Sequence, residues 1–199
     1  VMALEEGRLI HHLVVKFGLE SDIRVETALI HMYTTSKNLE EANNIFVRVK
    51  HKDMMCWGAM ISGCAECGSN IGALKLFEEM QQNGLRPDSV ICLSVLKACQ
   101  NIGSVRVGKL LHDKVIKEGS EMNITTGNAL ISMYDMCGSI DEAYNVFNRM
   151  LYRDTVSWTS MIGGFVHHEY HFSALDLFAC MHCAKIEVDN VTYLWTLKS

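Results

Sequence analysis

The strongest constraint on the fold is a long internal repeat, because the sequence matches itself at an offset of 101 residues. In that register 33 of the 98 aligned positions are identical. The matches fall on large apolar residues, for example Trp57 with Trp158 and Met60 with Met161. A fixed period of this length contains several smaller units in helical-repeat architectures. The sequence therefore predicts a chain built from copies of a smaller structural unit.

Each 101-residue copy divides into three helix-turn-helix units, of 31, 35 and 35 residues. In one unit an apolar stripe through Leu130 and Met133 has helical spacing. A turn at Gly138 then breaks the pattern, and the acidic Asp141 suits the start of a second helix. The predicted units are 23–53, 54–88, 89–123, 124–154 and 155–189, with partial units at 1–22 and 190–199.

The predicted fold class is all-α, a solenoid of stacked helix-turn-helix repeats. A single unit cannot bury its apolar face alone, so neighbours must stack around one continuous core. Strand-like alternation is scarce, and the 199 residues include one proline, which favours helix. Small residues recur at one register position, where we expect two helices to approach closely: Ala42, Ala73, Ala143 and Ala174.

Composition excludes several classes of protein. The chain is 49% hydrophobic and 21% charged, which excludes a disordered chain. It has 18 Lys and Arg against 23 Asp and Glu, a net charge of −5, which argues against a polybasic phosphate-binding surface. The eight cysteines lie beside apolar residues and predict free thiols in a reducing compartment. No apolar run reaches membrane-spanning length.

The chain starts at Val1, so we expect it to be a piece of a longer protein. The lack of a targeting peptide in this piece therefore says nothing about where the protein is delivered in the cell.

The repeats resemble those of a known family. The stretch TGNALISMYDMCGSIDEAYNVFNRMLYRD, which ends at Asp154, resembles an S motif of plant pentatricopeptide repeat (PPR) proteins, and VSWTSMIGGFVHHEYHFSALDLFACM, from Val156, resembles a P motif. The segment from Ser94 to Gly119 resembles an L motif. The chain is thus similar to the PLS subclass, in the order partial L, S, P, L, S, P and partial L over the seven units above. Tetratricopeptide repeats are the alternative, but they keep a constant 34 residues.

The resemblance implies a right-handed α-solenoid that binds single-stranded RNA, with about one nucleotide per repeat. Unpaired bases have free edges that two or three side chains of a repeat can read. In this family the fifth and last residues of a unit read the base. Carried onto this sequence, the pairs are Thr27 with Asp53, Gly58 with Asp88, Leu93 with Asn123, Asn128 with Asp154, and Thr159 with Asp189.

The family's rule links Thr with Asp to guanine, and Asn with Asp to uracil. Gly58 and Leu93 depart from the rule, so the expected register is G, unknown, unknown, U, G, from 5′ to 3′ along the units. The second residue of each unit is expected to flank the bases, and Arg24 and Thr125 depart from the usual apolar choice there. These second residues are Arg24, Met55, Val90, Thr125 and Val156.

Each site residue also has a simpler interpretation. Asp is a favoured N-cap, and each last residue stands just before the next first helix. The polar fifth residues could lie on a solvated face. Four further residues are expected in the core rather than against bases: Trp57, Trp158, Met80 and Met181.

Enzyme-like patterns are weak, and the chain is predicted to be neither an enzyme nor a metal or cofactor protein. His167-His168-Glu169 with Cys180 and Cys183 resembles a zinc-deaminase signature, but no proline precedes Cys180 and the segment aligns with an ordinary repeat. A second pair, Cys64 and Cys67, has no partner pair to complete a four-ligand site. The recurring His11 and His112 are expected at half-buried helix positions.

The resemblance also implies a role and a place in the cell. The expected role is to direct organellar C-to-U editing, or other RNA processing, with the chemistry in a C-terminal extension or a recruited partner. The expected partners are single-stranded RNA and editing-complex proteins in a mitochondrion or plastid, without DNA or membrane. The rival interpretation is a protein-binding helical-repeat scaffold, which the acidic charge balance favours.

Overall fold

The computed structural model describes residues 2–117 and 123–198, and this part of the chain forms twelve α-helices. Val1, residues 118–122 and Ser199 belong to the predicted units 1–22, 89–123 and 190–199, and they lie outside the described residues. The helices are α1 (Met2–Lys16), α2 (Ile23–Thr35), α3 (Leu39–Arg48), α4 (Met54–Glu66), α5 (Asn70–Gln82), α6 (Ser89–Ile102), α7 (Val105–Lys117), α8 (Ile124–Met136), α9 (Ile140–Arg149), α10 (Thr155–His167), α11 (His171–Cys183) and α12 (Asn190–Lys198).

The even-numbered helices α2 to α12 begin at the residues where the sequence starts its predicted units. The turn between the two helices of a pair also recurs at the same position. Gly68 and Glu169, which are 101 residues apart, both have a positive φ, of 79° and 63°. Lys37 and Gly138 form a second such pair, with φ values of 57° and 74°. A left-handed residue therefore reverses the chain in both copies, with glycine in one copy and a longer side chain in the other.

The contacts divide the chain into two compact units, 1–98 and 99–199. In the first unit α2 packs against α3 and α4, and α4 also packs against α5. In the second unit α8 packs against α9 and α10, and α10 also packs against α11 and α12. Within each unit, each of these first helices therefore contacts both its own second helix and a neighbouring first helix.

The same aromatic pair anchors the core of each unit. Phe46 and Trp57 meet edge to face with ring centres 5.0 Å apart, and Phe147 and Trp158 meet in the same way at 5.0 Å. A cation lies over the Phe ring in both units, contributed by Lys52 and Arg153. The residues expected in the core are buried apart from Trp158, which is half-buried, and the four small residues of the predicted close approach are fully buried: Ala42, Ala73, Ala143 and Ala174.

The remaining properties of the fold concern thiols and membranes. All eight cysteines are free thiols, and Cys180 and Cys183 are exposed. Across residues 2–117 and 123–198, no helix has both the length and the apolar character needed to span a bilayer.

Candidate nucleic-acid interface

The last residue of every complete predicted unit caps the helix that follows it. In each case a side-chain oxygen, Oδ1, accepts a hydrogen bond from the backbone N–H three residues later, which is the N-cap interaction that the sequence favours. The bonds run from Cys56 to Asp53 (2.8 Å), Ile91 to Asp88 (2.8 Å), Thr126 to Asn123 (2.8 Å), Ser157 to Asp154 (2.9 Å) and Thr192 to Asp189 (2.7 Å). Capping thus engages one oxygen, Oδ1, of each of the four carboxylates.

Two of the five predicted pairs are linked through side-chain hydrogen bonds. Asn128 Nδ2 donates to Asp154 Oδ1 at 3.1 Å. The hydroxyls of Thr159 and Thr192 are 2.6 Å apart, and Thr192 Oγ1 donates to Asp189 Oδ1 at 2.7 Å. In these two units the structure therefore places the fifth and last residues in one polar cluster at the start of a first helix.

The other three predicted pairs lack such a link. Thr27 Oγ1 is buried beside the Cys56 thiol and makes no hydrogen bond to Asp53 in the part of the chain that the structure describes. Gly58 has no side chain, and a Cβ built there would lie 3.6 Å from Ile91. Leu93 is half-buried on α6 in the first compact unit, whereas Asn123 caps α8 in the second. Among the described residues, these linked polar clusters are therefore seen in the last two complete units.

Hydrogen bonding keeps the clustered carboxylates ionised. Partial burial acts to raise the pKa of Asp154, but bonds from the Ser157 backbone and from the Asn128 and Ser157 side chains outweigh it and hold that pKa below its usual value. The Thr192 hydroxyl, more than any other group, holds the pKa of Asp189 below its usual value. At neutral pH both carboxylates can therefore accept hydrogen bonds but not donate them, which suits the N–H groups of a base edge.

The second residues of the units are exposed although three of them are apolar. Met55, Val90 and Val156 are 68%, 59% and 56% exposed, and Thr125 is exposed as well. Apolar side chains at one repeated helix position, open to solvent, can pack against the faces of planar rings.

Arg24 is the departure from this pattern. Its guanidinium lies 2.9 Å from Asp22, the N-cap of α2, and lowers the pKa of that carboxyl to about 2. The Arg24 side chain is thus held by a neighbouring carboxylate at the start of α2.

The two histidines of the segment that resembles a zinc-deaminase signature bond to a carboxylate instead. His167 Nδ1 and His168 Nε2 lie 3.3 Å and 3.1 Å from the carboxylate oxygens of Asp135. Across the described ranges, no group of three or more His, Cys, Asp or Glu residues is arranged to hold a metal ion.

The two recurring histidines bond to core tyrosines. His11 Nδ1 lies 2.9 Å from the hydroxyl of Tyr33, and His112 Nδ1 lies 3.0 Å from that of Tyr134. His11 is half-buried as expected, but His112 is buried, at 8% exposure.

Sequence reasoning missed two residues of the clusters. Ser157 Oγ donates to Asn128 Oδ1 at 2.6 Å and forms a capping box with Asp154. Thr192 occupies the equivalent place in the next unit. The available signal was a hydroxyl residue three positions after a capping Asp.

Family profiles and curated relatives match the chain over most of its length. The profile described as PPR repeat matches residues 55–85, 128–154 and 156–186, and the one described as pentatricopeptide repeat domain matches 9–55 and 75–134, more than half of the chain. A chloroplastic pentatricopeptide repeat-containing protein of Arabidopsis thaliana is 37% identical over 191 residues, which are 95% of this chain and 36% of that protein. A mitochondrial one from the same plant is 34% identical over 199 residues, 100% of this chain and 19% of that protein. The chain thus spans well under half the length of either relative.

Solved structures show the fold. The crystal structure of the pentatricopeptide repeat protein PPR10 in complex with an 18-nt psaJ RNA element matches with a TM-score of 0.82 and 20% identity, over 97% of this chain and 30% of that one. The structure of PPR10 from maize matches with a TM-score of 0.72 and 20% identity, over 88% of this chain and 26% of that one. The likeness confirms the predicted class, an all-α solenoid of helical repeats.

Proposed function

The chain belongs to the pentatricopeptide repeat family, and on that premise we propose that it binds single-stranded RNA selectively by sequence, with one nucleotide at each repeat. The observation that carries the proposal is the recurrence of a polar cluster at one phase of two successive units, Asn128 with Asp154 and Thr159 with Asp189. Each cluster joins an ionised carboxylate to a neutral polar group, and such sets read the edges of unpaired bases.

The exposed second residues supply the other half of the site. Met55, Val90 and Val156 offer apolar surface for the faces of adjacent bases. Thr125 and Arg24 stack less well there, so we expect looser packing of bases at those units. The complex of PPR10 with an RNA element supports the choice of RNA as ligand.

We assign the repeats to the PLS subclass, with units 23–53 and 124–154 as S motifs, 54–88 and 155–189 as P motifs, and 89–123 as the L motif. The unit lengths of 31, 35 and 35 residues and the 101-residue period support this assignment. The site sequence is then G, unknown, unknown, U, G. The unknown positions face Gly58, which has no side chain, and Leu93, which has no hydrogen-bonding group.

The proposed role is to direct C-to-U editing or other processing to one organellar transcript, with any catalytic chemistry in another domain or partner. Relatives named as chloroplastic and mitochondrial support an organellar setting. The repeat chain itself acts by binding, and editing-complex proteins are its proposed partners beyond RNA.

Replacement of Asn128 by Ser tests the function. Asn128→Ser removes the amide that meets uracil, so preference at the fourth nucleotide of a G-A-A-U-G site should move from U towards C or A, by roughly tenfold. Fluorescence anisotropy with four RNAs that differ at that nucleotide measures the change. The fifth nucleotide, which faces Thr159, is the internal control and should keep its preference for G. An unchanged preference at the fourth nucleotide would contradict the assignment, and equal affinity of the wild type for a scrambled RNA would favour the protein-binding scaffold.

A further inference from the structure

We infer that the third residue of a first helix, Ser157 in α10 and Thr192 in α12, is a positioning residue that orients the base-reading pair of the preceding repeat. This inference rests on the proposed function and deepens it. Both side chains are fully buried, at 0% exposure. They therefore act on a ligand only through the residues they contact.

Ser157 fixes the orientation of the Asn128 amide. Asp154 Oδ1 already accepts the Ser157 backbone N–H at 2.9 Å and Asn128 Nδ2 at 3.1 Å. The Ser157 hydroxyl lies 2.6 Å from Asn128 Oδ1 and 2.9 Å from Asp154 Oδ1. Because both oxygens are acceptors and the contact with Asn128 is the shorter, the one hydroxyl proton is needed mainly at Asn128 Oδ1. A flipped amide would place its oxygen against the Asp154 carboxylate, acceptor against acceptor. The amide thus keeps one N–H and one lone pair free in a fixed arrangement, as uracil's mixed donor and acceptor edge requires.

Thr192 and Asp189 hold the proton of Thr159 within the cluster. The Thr192 hydroxyl lies 2.7 Å from Asp189 Oδ1 and 2.6 Å from Thr159 Oγ1. Thr159 donates either to Thr192 or to Asp189, and in both arrangements its proton is used within the cluster and its oxygen keeps a free lone pair. The free lone pairs of Thr159 and the carboxylate of Asp189 are both acceptors. Two adjacent acceptors suit the ring N–H and amino group of guanine.

Units without a hydroxyl at the third position lack this arrangement. In α4 the third residue is Cys56, which brings a thiol rather than a hydroxyl to Thr27, the fifth residue of the preceding unit. In α6 it is Ile91, whose side chain lies against Gly58. In α8 the third residue is the buried hydroxyl residue Thr126, but the preceding unit has Leu93 as its fifth residue, without a hydrogen-bonding group. Within residues 2–117 and 123–198, the full arrangement is therefore seen at Ser157 and at Thr192.

Two pairs of substitutions test the inference in this chain, and each pair is the control for the other. Ser157→Ala removes the hydroxyl but keeps the backbone N–H that bonds to Asp154. Ser157→Thr keeps the hydroxyl and introduces the residue type that stands at the equivalent position 192. Thr192→Val removes the second hydroxyl at nearly constant volume, and Thr192→Ser keeps it.

The expected result is a crossed pattern in RNA binding to a G-A-A-U-G site. Ser157→Ala should lower the preference for U over C at the fourth nucleotide about tenfold and leave the fifth unchanged. Thr192→Val should lower the preference for G over A at the fifth nucleotide to a similar extent and leave the fourth unchanged. Ser157→Thr and Thr192→Ser should retain wild-type preference. A uniform loss of affinity, or unchanged preference in both hydroxyl-free variants, would overturn the inference.

A measurement without RNA separates this inference from the proposed function. In the wild type the Nδ2 protons of Asn128 should give NMR signals that exchange slowly with solvent, because the amide is held at both ends. Ser157→Ala should make these signals exchange faster, and Ser157→Thr should restore them. Signals unchanged by Ser157→Ala would overturn the positioning role. Wild-type binding without base preference would instead overturn the proposed function, even where the amide signals respond.

Discussion

At the scale of single residues, His112 links stability to pH. It is 8% exposed, and its Nε2 is buried without a hydrogen-bond partner among residues 2–117 and 123–198. Burial, with a contribution from the charge of Arg149, lowers the pKa of His112 below its ordinary value, against the opposing effect of Asp113 and Glu142. The unfolded chain therefore binds a proton more readily than the folded one near the ordinary pKa of a histidine, about 6.5.

We therefore expect His112 to destabilise the fold as the pH falls through about 6.5. Thermal unfolding between pH 8 and pH 5, followed by circular dichroism, measures this dependence. His112→Phe should make the pH dependence shallower, although loss of the bond to Tyr134 lowers the melting temperature at every pH. An equally steep dependence in the variant would show that other groups carry it.

The roles of residues were predictable where they depend on neighbours in the sequence, and not where they depend on how helices pack together. The capping Asp residues follow from their place before each first helix, and the structure shows those bonds. The contacts of Ser157 and Thr192 join residues about 30 positions apart, and they depend on how closely successive first helices pack. A single sequence gives the repeat phase but not that distance.

At the scale of elements, two glycines of α4 should respond to alanine in opposite directions. A Cβ at Gly63 would lie 2.3 Å from the side chain of Thr34, which is buried on α2. A Cβ at Gly58 would meet Ile91 at 3.6 Å, an ordinary contact. On the same helix, a methyl group would thus clash with a neighbouring side chain at Gly63 and would be accommodated at Gly58.

Gly63→Ala should lower the free energy of unfolding by about 1–3 kcal/mol because it overpacks the contact between α2 and α4. Gly58→Ala should raise that free energy by about 0.5–1 kcal/mol because alanine is the better helix former. Urea denaturation of both variants beside the wild type measures the two changes. Equal effects at both positions would mean that the approach of α2 and α4 does not limit the size of the side chain.

Helix positions were the most predictable elements because caps, turns and periodicity all lie within one unit. The turn at Gly138 was predicted from its glycine, and Lys37, at the same position of the other copy, has a left-handed φ as well. The depth of burial of single helices was less predictable. His112 lies deeper than its repeat position indicates, and Trp158 is less buried than Trp57.

At the scale of the whole molecule, the 101-residue repeat was enough to predict the fold class, because repeated helical pairs that cannot fold alone have few ways to bury their apolar faces. The division of contacts into the units 1–98 and 99–199 was not predicted. The boundary lies inside α6, where the sequence keeps an uninterrupted helical pattern and gives no signal of it.

Net charge leads to the last prediction. With 18 Lys and Arg against 23 Asp and Glu, and with carboxylates in each proposed base-reading cluster, RNA affinity should come from base contacts rather than from phosphate neutralisation. The logarithm of the binding constant falls by about 0.7 per neutralised phosphate for each tenfold rise in salt, so we expect a slope of about −1 to −2. A salt titration of binding to the G-A-A-U-G site measures this slope.

Arg24→Val should leave the slope unchanged, because the guanidinium is already paired with Asp22. A slope steeper than about −4, or one that changes by about 0.7 on loss of Arg24, would show that cations on this chain bind the phosphates directly.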